Sequence, residues 1–407
     1  MNILIPTHVF TDDPKSGLHT EIWNITKHLA ELGNQIFVVT AYLELHSETK
    51  DSLKKKNIYI YHGHSIITHN LGPPEAFLTF IISLILRLKY HFDWIYITDT
   101  AKTPFSYFKL GANLACRVLC PQTQKIKKIF KGSDWSYDRR RKDEEEGWEQ
   151  RSIPILYRVL GLLANSVWFK IFPVQEVAKN CNLLVCQGSK TLKYYSSIGY
   201  NNAINIPNGI EDYRFDVSVK KVKNKNKYVY LFVGRIAKRK GIFYLLKAFK
   251  KLHRKHPNTQ LWIIGKGSNN LINQLIKQSG TLYQKDIIWL GEKNRHDIIK
   301  YFKSCNVVVD PGVFAGFSTP VLEGMYCKKP VIAPKYGGSS DLIVNEVNGF
   351  IIDSRNTNNL RDKMEYYYQH PKKAAVMAER GYRLVKQKYT WKKIAITLAQ
   401  AFKDTKV

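Results

Sequence analysis

Short apolar runs along the chain alternate with stretches in which apolar residues recur every three or four positions. The runs predict strands buried on both faces, and the periodic stretches predict amphipathic helices. Before residue 210 the predicted strands are Asn2–Pro6, Gln35–Thr40, Ile58–Tyr61, Trp94–Ile97, Arg117–Cys120, Leu183–Cys186 and Ala203–Ile206. A helix separates the first two and ends near Leu32 at Gly33-Asn34, residue types that tolerate left-handed dihedrals. From 211 to 227 the pattern lapses into a polar, basic stretch (VSVKKVKNKNK), expected as a linker or exposed loop.

The alternation then restarts. Strands are expected at Tyr228–Val233, Gln260–Ile264, Ile287–Leu290, Val307–Asp310 and Pro330–Ala333. Between them the helices Ile242–His253, Asn269–Ser279, His296–Ser304 and one around Val321–Tyr326 are expected, with further helices at the end. Strand–helix alternation predicts parallel sheets covered on both faces. The expected fold class is therefore α/β, as two Rossmann-like domains. Their bounds are 1–210 and 228–385, with 211–227 as linker and 386–407 as a helix packing back towards the first domain.

In such sheets ligands sit beyond the carboxyl ends of the strands, where turns and helix N-termini offer unpaired N–H groups. Four turns of the second half have suitable chemistry. After Leu231-Phe232-Val233 come Gly234 and Arg235, then Lys240-Gly241; the glycine admits a ligand to the backbone, and the two cations suit a diphosphate. Both also read as ordinary basic residues of a basic domain. Gly265-Lys266-Gly267-Ser268 and Gly291-Glu292-Lys293-Asn294 follow strands too, and carry little alone. In Ala315-Gly316-Phe317-Ser318-Thr319-Pro320, small and hydroxyl residues lead into a helix whose first turn offers an anion cradle. Glu323, about a turn further on, either faces a ribose or simply complements the helix dipole.

Charge changes the picture more than composition does. The 407 residues are 44% hydrophobic, fit for a folded chain of two domains, yet the net charge is +30. Residues 1–210 hold 25 Lys and Arg against 18 Asp and Glu, and residues 211–407 hold 38 against 15. This field favours polyanions: nucleotides, anionic lipid or nucleic acid. Against nucleic acid, no helix-turn-helix, zinc-finger or RNA-recognition signature is present. No strand is followed by G-x-G-x-x-G, which argues against a nicotinamide-dependent dehydrogenase. The six cysteines form no Cys-x-x-Cys pair and read as buried free thiols in a reducing cytoplasm. Neither Phe77–Leu86 nor the interrupted run Ile153–Phe172 suits a membrane span.

The series GR-x4-KG, GKG, Phe317-Ser318-Thr319-Pro320 with Glu323, KKPVIA and YGGSSD resembles the retaining family 4 glycosyltransferases. Ile206-Pro207-Asn208-Gly209-Ile210 agrees, as does the opening strand with its Ser16-Gly17 loop and helix, so the resemblance spans nearly the whole chain in order. It implies the B-type glycosyltransferase fold, with parallel sheets facing across a cleft. The donor would be a nucleotide-sugar, UDP- or GDP-linked, on the C-terminal domain. Arg235 and Lys240 would meet its diphosphate with the N–H groups of Phe317, Ser318 and Thr319, and Glu323 would hold the ribose; Gly17, Gly234, Gly265, Lys293 and Gly316 would border it. Transfer would proceed with retention. No metal or other cofactor is expected, and the chain has no Asp-x-Asp motif.

Two departures stand out. The family usually carries a glutamate eight residues before the ribose-binding one, where this chain has Ala315. An engineered substitution, a divergent site and a lost activity all fit, and the last leaves a catalytically impaired binding or regulatory subunit as the alternative. Many relatives place a histidine after the strand that reads RVLC here, where this chain has Gln122. Gln122, Asp99 and His19 are the acceptor-side candidates, each also readable as an ordinary loop or surface residue. The acceptor is expected to be a glycan, a lipid-linked or a small molecule. Basic residues interleaved with Phe130, Trp135, Tyr137 and Trp148 suggest docking on an anionic membrane from the cytoplasmic side, with a solvated loop as the plain reading. A sugar-nucleotide epimerase on the same architecture stays open, since fold does not fix reaction.

Overall fold

Two all-parallel sheets organise the chain, one in each of two compact units: Met1–Ile206 with Ile394–Val407, and Pro207–Lys393. The computed structural model describes residues 1–12, 17–62, 82–83, 85–86, 88–97, 127–132, 182–220, 222, 226–313, 317–335 and 338–405. In the first unit β1 (Asn2–Thr11), β2 (Gln35–Glu44), β3 (Ile58–His62), β4 (Trp94–Ile97), β5 (Lys127–Gly132), β6 (Leu183–Cys186) and β7 (Ala203–Asn205) take the order β3-β2-β1-β4-β5-β6-β7. Runs such as Ile3-Leu4-Ile5 and Phe37-Val38-Val39 are buried throughout, as a sheet covered on both faces requires.

β5 corrects the sequence reading. Lys127–Gly132 fell within the segment assigned to an anionic interface, yet it pairs with β4 (Ile97 opposite Phe130) and with β6 (Ile129 opposite Leu183). Sheet pairing is a backbone matter, so lysines beside two apolar residues did not prevent a strand and did hide one. The expected strand Arg117–Cys120 lies outside the described residues.

The second unit contains β8 (Tyr228–Val233), β9 (Thr259–Ile264), β10 (Ile287–Trp289), β11 (Val307–Val309), β12 (Val331–Pro334) and β13 (Phe350–Ile352), in the order β10-β9-β8-β11-β12-β13. Side chains alternate between its faces: Tyr230, Phe232, Leu261 and Ile263 join one core, while Val229, Leu231, Trp262 and Ile264 join the other. The helix Ile242–Lys255 covers the first core with Ile242, Leu245, Leu246, Phe249 and Leu252, an apolar stripe at helical spacing.

The first part of the expected linker is not a tether. Glu211, Arg214 and Phe215 are buried in the second unit, on or beside the short helix Asp212–Phe215. The units part at 206/207 and at 393/394, which differs from the expected bounds of 210 and 385. Two segments near these points are pinned together. Ile210 N–H donates to the Tyr389 carbonyl at 2.7 Å and Trp391 N–H to the Ile210 carbonyl at 3.2 Å. A β-carbon on Gly209 would fall 2.8 Å from the Trp391 nitrogen and ring, so only glycine admits this approach. Beyond it Phe402 stacks on Trp94 within the first unit, with ring centroids 4.8 Å apart.

Candidate functional site

Winding of the second sheet reverses between β8 and β11, which are direct neighbours through Tyr230–Val307 and Leu231–Val308. A crevice for ligands opens at such a crossover, at the carboxyl ends of the strands. Three glycines end adjacent strands there. Gly234 N–H donates to the Ile264 carbonyl and Gly265 N–H to the Gly291 carbonyl, both at 2.9 Å. At Gly265 (φ +146°) a β-carbon would lie 1.9 Å from the Gly234 oxygen, so the turns sit closer than any side chain allows.

After β8 a one-turn helix, Lys238–Lys240, carries the basic residues and leads into Gly241. This turn rests on the one after β11: Val313 N–H donates to the Arg239 carbonyl at 3.0 Å, and Gly241 lies against the Pro311 carbonyl. Arg235 is exposed and Lys240 partly buried. Burial pushes the Lys240 pKa down; the charge of Asp310 acts against that, while Arg239 and Arg235 add to it.

On the other side of the crossover the helix Thr319–Tyr326 begins, with Ser318 as its N-cap and Pro320 in its first turn. Ser318 is buried, and its Oγ has no hydrogen-bond partner among the described residues; Ser339, opening the helix Ser339–Leu342 after β12, is alike. Buried hydroxyls are ordinarily paired, so each of these two has hydrogen-bonding capacity to spare. Thr319 and the Phe317 side chain are partly buried, Phe317 packing near Tyr389.

Glu323 follows one turn into that helix. Burial pushes its carboxyl up to about 7, against the pull of Arg214 and Arg295 and with a further push from Glu211. Those three residues form a cluster that the sequence reading missed. Glu211 accepts from Arg214 Nη1 at 2.8 Å and from Arg295, and Arg214 Nη2 donates to the Arg295 carbonyl at 2.5 Å. The Glu211–Arg214 spacing was a visible signal, but Arg295 arrives from a distant loop that no local pattern announces.

Residues 214–384 match the family model of glycosyl transferases group 1. Over that stretch, its C-terminal half, the chain carries a group 1 glycosyl transferase domain.

The chain is 29% identical over 210 residues to the uncharacterized glycosyltransferase MJ1607 of Methanocaldococcus jannaschii, covering 49% of this chain and 53% of that protein. It is 26% identical to the capsular polysaccharide biosynthesis glycosyltransferase CapM of Staphylococcus aureus, covering 59% of this chain and 67% of CapM. The match thus spans about half the length of the first relative and about two thirds of the second. Over 99% of this chain the fold is similar to that of Anabaena HepE, solved in complex with UDP, at a TM-score of 0.66 and 16% identity. The fold is the B type of the glycosyltransferases, with a doubly wound parallel sheet in each domain.

The remaining expected site residues are spread more widely. Lys293 is partly buried in the loop after β10, beside an exposed Lys266–Glu292 ion pair at 3.1 Å. Gly17 opens the helix Gly17–Glu31 in the first unit, and His19 stands partly buried in its first turn. Ala315, Gly316, Gln122 and Asp99 lie outside the described residues, as do Trp135, Tyr137, Trp148 and the run 153–172. Sequence reasoning also passed over Glu21, a buried carboxylate accepting from Tyr96 Oη at 3.3 Å and Gln187 Nε2 at 3.0 Å. Among the described residues no helix is long and apolar enough to cross a membrane, and no three His, Cys, Asp or Glu side chains gather as a metal site.

Proposed function

We propose that this glycosyltransferase moves a sugar from a nucleotide-sugar donor, UDP- or GDP-linked, to a glycan, lipid-linked or small-molecule acceptor with retention at the anomeric carbon. The observation that carries the donor reading is the crossover of the second sheet: a basic turn docked beside an eight-residue helix whose N-cap hydroxyl is buried and unspent. Lys240 and Arg235 neutralise the departing diphosphate, with the N–H groups of Phe317, Ser318 and Thr319 completing its cradle. Glu323 accepts from the ribose hydroxyls. Gly234, Gly265 and Lys293 give the backbone and rim of that site. These cations meet the leaving-group charge, so the reading calls on no metal.

As the bond to the leaving oxygen breaks, that oxygen is placed to take the acceptor's proton on the same face, which gives retention. The motif series supports this course, and HepE's complex with UDP supports a uridine donor. CapM's role in capsular polysaccharide biosynthesis supports a glycan acceptor. His19, Asp99 and Gln122 are the acceptor-side candidates.

Release of free nucleotide from UDP-, GDP- and ADP-sugars, beside an Ala315→Glu variant, tests the reading. Release by the native chain supports a working site without the usual glutamate. Release by the variant alone supports the impaired-subunit alternative, and silence from both with no nucleotide binding overturns the donor reading.

A further inference from the structure

The helix Pro371–Lys388 lies wholly in the second unit and takes no part in the proposed donor site. Ala374, Met377, Ala378, Gly381 and Val385 are its buried side, and a β-carbon on Gly381 would stand 3.2 Å from Met325 Cγ. Residues at helical spacing leave the opposite side to solvent. Lys372, Val376, Arg380 and Arg383 stand on it at steps of three and four residues, with Lys373 beside them, and all five are exposed. From Lys372 to Arg383 the stripe runs about 17 Å along the helix. Its one acid, Glu379, is already matched by Arg383 at 3.2 Å and by Lys328, just past the helix Thr319–Tyr326, at 3.0 Å. Lys372 and Arg380 have no hydrogen-bond or ion-pair partner among the described residues. Arg380 and Arg383, a turn apart, repel each other, so the stripe does not serve the helix's own stability.

We infer that this face docks the second unit on an anionic lipid bilayer. A straight row of cations meets a flat layer of anionic headgroups along its whole length, and each lysine or arginine brought to such a surface strengthens partition about fivefold. Val376, 53% exposed in the middle of the row, suits that occupant. The headgroup region of a bilayer accepts an apolar side chain among cations, whereas nucleic acid would find no aromatic ring here on which to stack a base. The docking surface lies outside the proposed reaction and does not depend on the donor reading.

Sedimentation of the whole chain with vesicles tests it, phosphatidylcholine alone against phosphatidylcholine and phosphatidylglycerol in equal parts. The chain should bind the mixed vesicles only, and release them as salt rises and screens the charges. Lys372→Gln with Arg380→Gln should weaken that binding about twenty-five-fold, fivefold for each cation lost. Lys247→Gln with Arg254→Gln removes the same charge from exposed positions of the helix Ile242–Lys255 and should weaken it far less. Both double variants should unfold at the native temperature and bind UDP as the native chain does; Lys372→Gln with Lys373→Gln replaces the first if it does not fold. Failure of the native chain to bind mixed vesicles at low salt overturns the inference. So do equal losses in the two double variants, which would show attraction by net charge alone. Duplex DNA held more tightly than the vesicles, through Lys372 and Arg380, would give the face to nucleic acid and overturn it as well. Vesicle binding by a chain that binds no UDP would leave this docking face standing and fell the donor reading.

Discussion

A β-carbon at position 241 would fall 1.9 Å from the Pro311 carbonyl oxygen, and the backbone there is left-handed, with φ +71°. Gly241→Ala therefore meets dihedral strain and a backbone overlap that only separation of the two turns relieves. A loss of about 2 kcal/mol or more in urea unfolding is expected, with a raised donor KM as Lys240 is displaced. Glu323 gives a prediction of opposite sign for stability. Its carboxyl is pushed up to about 7 from an ordinary 4.5, so its contribution is whole below about 4.5 and is lost as pH rises through about 7. Glu323→Gln should accordingly be more stable than the native chain at pH 8, by about 1–3 kcal/mol without donor, and no different near pH 4. Equal stabilities at pH 8 would show that the carboxyl carries no such burial cost. At this scale the sequence made Glu323 legible through its place one turn into a helix. It could not show the arginines that surround it, because Arg295 lies 84 residues from Glu211.

The helix Asp212–Phe215, the loop after β10 and the helix Thr319–Tyr326 are joined electrostatically through Glu211, Arg214, Arg295 and Glu323. Glu211→Gln would leave two arginines without their anion, one of them deeply buried, and should cost about 3 kcal/mol in urea unfolding. It should also lower the Glu323 pKa, since Glu211 helps to raise it, and move the pH dependence of donor KM to the acid side. A KM profile unchanged in pH would mean that Glu211 does not reach Glu323. Elements were legible where burial writes its own signature. The strands β8 and β9 and the helix Ile242–Lys255 stand close to where periodicity put them, because both faces of that sheet are covered. β5 was hidden by its lysines, and β13, no shorter than β10 and β11, was not expected at all. The start of the 211–227 segment was misread as linker because Glu211 and Arg214 form a buried pair, which composition cannot distinguish from solvated charges.

At the scale of the whole chain, the alternation of strands and helices was enough to call two doubly wound domains, but not to place the points where the chain leaves one unit for the other. Those are set by contacts such as Ile210 with Tyr389 and Trp391, remote in sequence. One consequence is that the first unit is built from two separate segments, 1–206 and 394–407. The second segment carries Ile394, Ala395, Leu398 and Phe402, all buried, with Phe402 stacked on Trp94. Removing one buried phenylalanine side chain costs about 3–5 kcal/mol, and a domain has only about 5–15 kcal/mol to lose. Deleting residues 394–407 should therefore unfold the first unit. The second unit keeps its sheet, the Lys240 turn and the Thr319–Tyr326 helix within 207–393, so UDP binding should survive the deletion while sugar transfer is lost. Calorimetry with UDP beside thermal unfolding separates the outcomes. Loss of UDP binding with the deletion would mean that the donor site needs the first unit to form. Retention of every unfolding transition would mean that the terminal helix contributes little to the core it joins.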